Sequence, residues 1–432
     1  MEPTLVGSTH DEGSNATGPP SEKGTGDPEY PEGGLSAWLV VAGGWLGLFC
    51  TFGLVTCMGV FLDHYKTDLL RDYSPSAISW ITSVQVFFQV GGGAVWGRVY
   101  DSYGPRWLML VGTPVYCFGL LMLSLSTQYY QIMLSQSIVS SLGSGAIFTA
   151  SLTSTTSWFS RKRGLVFGIV NSGSAVGGVV LPIMLSRLIK EIGFPWTMRA
   201  VAFLLLALCS VACLLIKTRV KPSPRRFAWE DYIGGFKESI MIITVVGGFL
   251  FFFGMFLPMS YIIVQAQASG ISLALIPYLL PIINAVSLVG RVVVGGLSDR
   301  FGRFNSMFII TGFTGVLTLG LWIPGSSSTV GIITYAAAFG FGSGGYISLF
   351  PTCVAQISPP QEIGTRIGIA SFVNAVGALT GSPIGGALIT KRPDGSSSFL
   401  GLQIFCGSTM VASAIVYGAA RYSQRGFKWA SI

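Results

Sequence analysis

Apolar runs of about twenty residues, each closed by a short polar or charged stretch, recur from residue 35 to residue 422. An α-helix rises 1.5 Å per residue, so roughly 20 apolar residues cross the hydrocarbon core of a bilayer. Twelve runs reach that scale: Leu35–Leu62, Ser76–Val99, Trp107–Leu125, Gln131–Trp158, Gly164–Leu188, Arg199–Ile216, Ser239–Gln267, Leu273–Leu297, Asn305–Ile323, Val330–Gln356, Ile367–Ile389 and Phe399–Tyr422. Glycine is dense within them, at 91–93, 173–178 and 340–345, where it lets helix backbones approach closely in lipid. The pattern predicts an all-α membrane protein with twelve transmembrane helices.

The polar segments between the runs set the organisation. Residues 1–34 are rich in Gly, Ser, Pro and acid and hold one basic residue, Lys23, which predicts a disordered acidic tail. They lack the charged and apolar regions of a cleavable signal peptide. The stretch Lys217–Phe236, with Pro222, Pro224 and a basic cluster, is the longest polar interruption. It divides the chain into a six-helix bundle at 35–216, a linker at 217–238, a second six-helix bundle at 239–422 and a tail at 423–432. With both termini on the inner side, 18 of the 26 Lys and Arg residues fall on that side and seven outside. This asymmetry predicts cytoplasmic termini.

Composition narrows the class. Half the residues are hydrophobic and only 10% are charged, against about a quarter charged in a soluble domain. So few charges exclude a cytosolic enzyme, and the net charge of +8 lies in short clusters between apolar runs, unlike a nucleic-acid footprint. No phosphate-binding Gly-x-x-x-x-Gly-Lys-Ser/Thr loop occurs. All seven Cys lie in apolar stretches, there is no CxxC, and the only histidines are His10 and His64. No metal site, cofactor or membrane-embedded enzyme is expected from such an inventory.

The two halves repeat one another. Gly97-Arg98-Val99-Tyr100-Asp101-Ser102-Tyr103-Gly104-Pro105-Arg106 follows the second run, and Gly295-Gly296-Leu297-Ser298-Asp299-Arg300-Phe301-Gly302-Arg303 follows the eighth. In each, Gly precedes Asp by four and another Gly follows it by three, with the two Asp 198 residues apart. A second echo pairs Arg163 and Asn171 with Arg366 and Asn374, at a separation of 203. Duplicated halves place a transport site at their interface near the midplane. Each Asp is expected to lie near a neighbouring helix N-terminus or to pair with Arg98, Arg106, Arg300 or Arg303. Gly97, Arg98, Asp101, Gly104, Arg106, Gly295, Asp299, Arg300, Gly302 and Arg303 are thus candidates for a cytoplasmic gate.

That loop resembles the signature of the major facilitator superfamily, over the chain from Glu32 onward. More narrowly, Glu32-Gly33-Gly34 with Ala37-Trp38 resembles the entry motif of monocarboxylate porters. Ser79-Trp80-Ile81, Trp158-Phe159-Ser160-Arg161-Lys162-Arg163-Gly164, Trp196-Thr197-Met198-Arg199 and Asn284 through Gly290-Arg291 are similar to the fungal branch of that family. The resemblance implies the major facilitator fold and transport by alternating access.

Arg291 sits among Val289, Val292, Val293 and Val294, eight residues before Asp299, or about 12 Å along a helix. An intramembrane cation usually faces a cavity or a partner, and a guanidinium can clamp a carboxylate with two bonds. In monocarboxylate porters an arginine at the matching place holds the substrate carboxylate. The alternative is that Arg291 snorkels to the cytoplasm or pairs structurally with backbone carbonyls. Ser287 and Thr56 stand where the animal proton-coupled members carry Asp and Lys, so their proton relay does not carry over. Further substrate-contact candidates are Asn284, on the same helix face as Arg291, and Asn171, Asn374, Gln85 and Gln89. The expected function is movement of a small organic acid or related metabolite, as a plasma-membrane monomer. Efflux of a fungal secondary metabolite is the alternative, and a non-transporting nutrient sensor is a third reading.

Overall fold

In a computed structural model of the chain, residues 30–220, 222, 234, 237–272, 275–391 and 397–425 are described. The tail expected at 1–34 therefore falls outside them except for its last five residues, as do most of the 217–238 linker and of the 423–432 tail.

The described chain is almost wholly helical. In chain order the helices are α1 Leu35–Leu69, α2 at 75–103, α3 Pro105–Leu123, α4 Tyr129–Ser157, α5 at 163–192, α6 at 194–215, α7 Ser239–Ala268, α8 Ile276–Phe301, α9 Arg303–Gly325, α10 Thr329–Gln356, α11 Ile363–Ala387 and α12 Leu400–Arg425. Among the described residues, ten stretches are long and apolar enough to cross a membrane. Two features reconcile that count with the twelve expected. Helices α5 and α6 run on as one 53-residue stretch whose only non-helical residue is Gly193, at φ 77°; unbroken, it would extend about 80 Å, far beyond a bilayer. Helix α2 carries Gln85, Gln89, Arg98 and Asp101 and is interrupted by a π-turn at Phe87–Gly91, so its apolar signal is weak.

Helix ends follow local chemistry. The Ser74 hydroxyl accepts from the Ala77 N–H at 3.2 Å and starts α2. Gly104 and Gly302 take φ 79° and 91°. They are the glycines three residues after each Asp, and only glycine turns the chain this way without strain. A two-residue ribbon pairs Thr390 with Ser398 and Lys391 with Ser397 between α11 and α12; the apolar pattern gave no hint of it.

Each half has its own core. One buried cluster gathers Phe61, Tyr65, Leu108, Ile147 and Leu205 in the first half. Another gathers Phe251, Trp322, Tyr335, Leu349 and Tyr417 in the second. Large apolar side chains elsewhere are open, such as Leu214 at 76% and Ile415 at 67%. A belt of exposed apolar residues fits a lipid-facing surface.

Candidate functional site: the seam between the halves

Two helix pairs cross between the halves, α2 with α11 and α5 with α8. At the end carrying Asp101 and Asp299, here termed the basic end, both crossings are closed by the same device. The Asp101 carboxylate accepts from the backbone N–H of Gly364 at 3.1 Å and Thr365 at 2.7 Å, and from the Thr365 hydroxyl at 2.7 Å. The Asp299 carboxylate accepts from the N–H of Gly164 and Leu165, each at 2.9 Å. Each aspartate thus caps the first turn of a helix in the opposite half, where orphan N–H groups and the helix dipole favour an anion. Both carboxylates take the helix N-terminus, and Asp299 also pairs with Arg303, so the two kinds of partner expected are not exclusive.

Arginines add further ties. Arg303 lies 3.5 Å from Asp299 and donates to the Ser160 carbonyl at 2.5 Å. Arg163 donates across the seam to the Ala355 carbonyl at 3.1 Å. Arg98 lies near Asp101 in the same helix, whereas Arg106 and Arg300 are exposed. The entry motif gains a structural meaning here. The Glu32 carboxylate accepts from the N–H groups of Ser160 and Arg161, both at 2.7 Å, and of Lys162 at 3.2 Å. It pins the turn from which α5 starts.

Glycine makes these crossings possible. A Cβ on Gly97 would lie 2.0 Å from the Gly364 carbonyl oxygen, and one on Gly295 2.4 Å from that of Gly164. One step deeper, a Cβ on Gly368 would lie 1.9 Å from the Gly93 carbonyl oxygen, and one on Gly168 2.3 Å from that of Arg291. These contacts fix the register of the repeat. Helix α2 maps onto α8 by 198 residues and α5 onto α11 by 200, since Gly164 and Gly168 play the parts of Gly364 and Gly368. The 203-residue echo is therefore not the structural register: at a separation of 200, Asn171 corresponds to Ser371, and Asn374 to Ser174. The Arg-to-Asn spacing is an accident of sequence, whereas the Gly-x-x-x-Gly spacing is the packing.

In that register Arg291 stands where the other crossing has Gly93. It is 5% exposed. Its guanidinium donates to the Asn171 carbonyl at 2.5 Å and to the Ser174 hydroxyl, both on α5. Its Nε–H has no partner. The arginine thus reaches across the seam through Nη1 to backbone and hydroxyl oxygens, with its buried Nε–H unused. Asn284 lies on the same flank against α5, beside Gly178 and Thr56.

The other candidates separate. Gln85 accepts from Gln136 at 2.9 Å, and Gln136 in turn accepts from Tyr65. Gln89 accepts from Ser144 at 3.0 Å. Both glutamines thereby join α2 to α4 inside the first half and are not brought to Arg291. The Asn171 side chain donates to the Phe167 carbonyl at 2.9 Å within its own helix. Asn374 is 1% exposed, and neither its Nδ2 nor its Oδ1 has a partner. Its amide lies against Gly248 and close to Phe350.

The sequence pattern did not single out an apolar cluster that spans the halves. Val55, Val86, Val90, Ala375 and Ala378 are buried together, with Phe52, Met58, Phe87, Phe252 and Phe256 packed against them. Phe87 meets Phe372 across the seam at 5.9 Å. Among the described residues no group of His, Cys, Asp and Glu suits a metal ion.

Membrane-length helices joined by crossing glycines and trans-capping aspartates define a polytopic helical membrane protein. The family model described as Major Facilitator Superfamily matches residues 44–382, and the chain belongs to that superfamily. It is a transporter and not an enzyme. It is 42% identical to "MFS transporter asaE" of Aspergillus flavus, over 97% of this chain and 95% of that protein. It is 39% identical to "Fujikurins efflux protein" of Gibberella fujikuroi, over 91% of this chain and 84% of that protein. Among solved structures, the Escherichia coli fucose:proton symporter FucP superposes with TM-score 0.68 at 13% identity, over 89% of this chain and 99% of that one. The human organic anion transporter MFSD10 gives TM-score 0.68 at 14% identity, again over 89% and 99%. At such low identity these two speak for the fold alone.

Proposed function

We propose that the chain exports an amphipathic secondary metabolite bearing an acidic group, by alternating access of a site on the seam at Arg291. The observation that carries this reading is the Arg291 guanidinium itself, buried between halves with an unused Nε–H. An entering carboxylate or enolate would offer two oxygens in place of the carbonyl and hydroxyl that Arg291 now engages, a charge-assisted exchange that favours the anion. Asn284 lies within reach of the same cargo. The apolar cluster around Phe52, Phe87 and Phe252 supports a cargo larger and more apolar than a simple monocarboxylate, and the orphan amide of Asn374 supplies a second polar contact. The relatives named for efflux support the direction.

The same residues make a gate. With Asp101 and Asp299 capping the opposite half, the basic end is held closed. Release of both caps frees the halves to rock and exposes the site to the basic side. The excess of Lys and Arg at this end supports its placement in the cytosol, at the plasma membrane, with the chain acting as a monomer.

Movement of a small monocarboxylate is the second reading, favoured by Arg291 and the entry motif. Transport assays in sealed vesicles separate the two, with labelled short-chain carboxylates set against amphipathic aromatic acids. Arg291→Ala is expected to lower transport of the acid at least about tenfold and to leave a neutral analogue of the same skeleton less affected. Unchanged acid transport by Arg291→Ala would end the proposal.

A further inference from the structure

A second groove lies on the outside of the seam. Helices α5 and α8 flank an open groove of about 520 Å³ at the basic end. Its rim carries Arg161, Lys162 and Arg300, all exposed, and its wall carries Leu165, Val293 and Leu297. Among the described residues none of the three cations forms an ion pair. The two nearby carboxylates are occupied elsewhere, Asp299 by the α5 N–H groups and Glu32 by those of the turn that presents Arg161 and Lys162. Val293 and Leu297 are 41% and 44% exposed, on a helix whose neighbouring turns face lipid. Gly296 opens the groove floor, since a Cβ there would meet Leu165 only at 3.4 Å.

We propose that this groove binds one anionic phospholipid from the leaflet at the basic end. Its headgroup phosphate meets Arg161, Lys162 and Arg300, and an acyl chain lies along Leu165, Val293 and Leu297. Three exposed cations that form no ion pair, with the hydrogen-bonded Asp299 carboxylate beside them, lie next to an apolar wall and match a phospholipid in charge and in polarity order. Basic recesses between transmembrane helices are where such headgroups are held. A free phosphate or a peptide would meet the cations but leave the apolar wall bare. Because Arg161 and Lys162 belong to one half and Arg300 to the other, the groove is intact only while the α5–α8 crossing is closed. The lipid therefore bridges the halves in this state alone.

The test is native mass spectrometry of the full chain after exchange with equal amounts of phosphatidylserine and phosphatidylcholine. The intact protein is expected to retain phosphatidylserine with a preference of about tenfold. The triple variant Arg161→Gln, Lys162→Gln, Arg300→Gln brings that preference close to parity. Gly296→Leu, which crowds the groove floor against Leu165 and leaves every charge in place, loses the bound lipid. The triple variant Lys66→Gln, Arg71→Gln, Lys190→Gln removes equal charge at the opposite end and retains the preference. Soluble glycerophosphoserine does not displace the lipid. Equal retention of both lipids by the intact protein, a preference that survives Gly296→Leu, or displacement by the soluble headgroup would each overturn the assignment.

Discussion

Arg291 shows how one residue breaks an otherwise symmetric design. At the matching place α2 has Gly93, which lets Gly368 of α11 touch its backbone; α8 instead projects a guanidinium to Asn171 and Ser174. Arg291→Lys keeps the charge but loses the planar fork, so it is expected to retain weak anion transport with apparent affinity reduced about tenfold or more, read from the concentration dependence of flux. The glycines behave differently. A leucine at Gly368 cannot coexist with the Gly93 carbonyl, and that contact lies between the halves and not inside either core. Gly368→Leu is therefore expected to fold and reach the membrane while failing to close the basic end. Thiol labelling of a cysteine introduced along the seam from the basic side should rise in that variant and stay low in the parent. The charged loop motif and the intramembrane arginine were legible residue by residue, because charge in an apolar run stands out. Which helix N-terminus each aspartate caps was not, because a backbone N–H carries no residue signature.

At the scale of elements the informative unit is a helix start in one half and a carboxylate in the other. Asp101 receives three bonds and Asp299 two, the latter with Arg303 alongside. A hydrogen bond to a charged group contributes about 1.5–3 kcal/mol net, and each 1.4 kcal/mol is about a factor of ten in a conformational ratio. Asp101→Ala is thus expected to shift the protein strongly toward opening at the basic end, and combination with Asp299→Ala should shift it further. Distances between spin labels placed on the α2–α3 and α8–α9 loops, one per half, should lengthen in that order. Each of the twelve runs falls on one helix, the largest mismatch being the end of α1 at Leu69 against Leu62, because apolar length alone sets a span. Helix α2 was found despite its polar residues, and the 5–6 boundary falls at Gly193, which hydropathy marks poorly. The internal register was misread by the Arg-to-Asn echo, since a spacing in sequence reports duplication only when the same backbone contacts recur.

For the whole molecule, transport requires the halves to separate at one end while they stay together at the other. Cysteines replacing Ser160 and Arg303, which meet across the seam, are expected to be joined by a short bifunctional thiol reagent. Cross-linking should arrest transport nearly completely, and a cleavable reagent should restore it on reduction. Persistence of flux in the cross-linked protein would show that the basic end need not open. The helical spans were determined by the sequence alone, because a spanning helix must satisfy its own backbone bonds and present apolar side chains to lipid. Which half each aspartate caps, which glycines touch, and whether a buried glutamine faces cargo or a neighbouring helix were decided only by tertiary structure. Those choices depend on the angle and depth at which helices distant in the chain cross, and no local pattern encodes them.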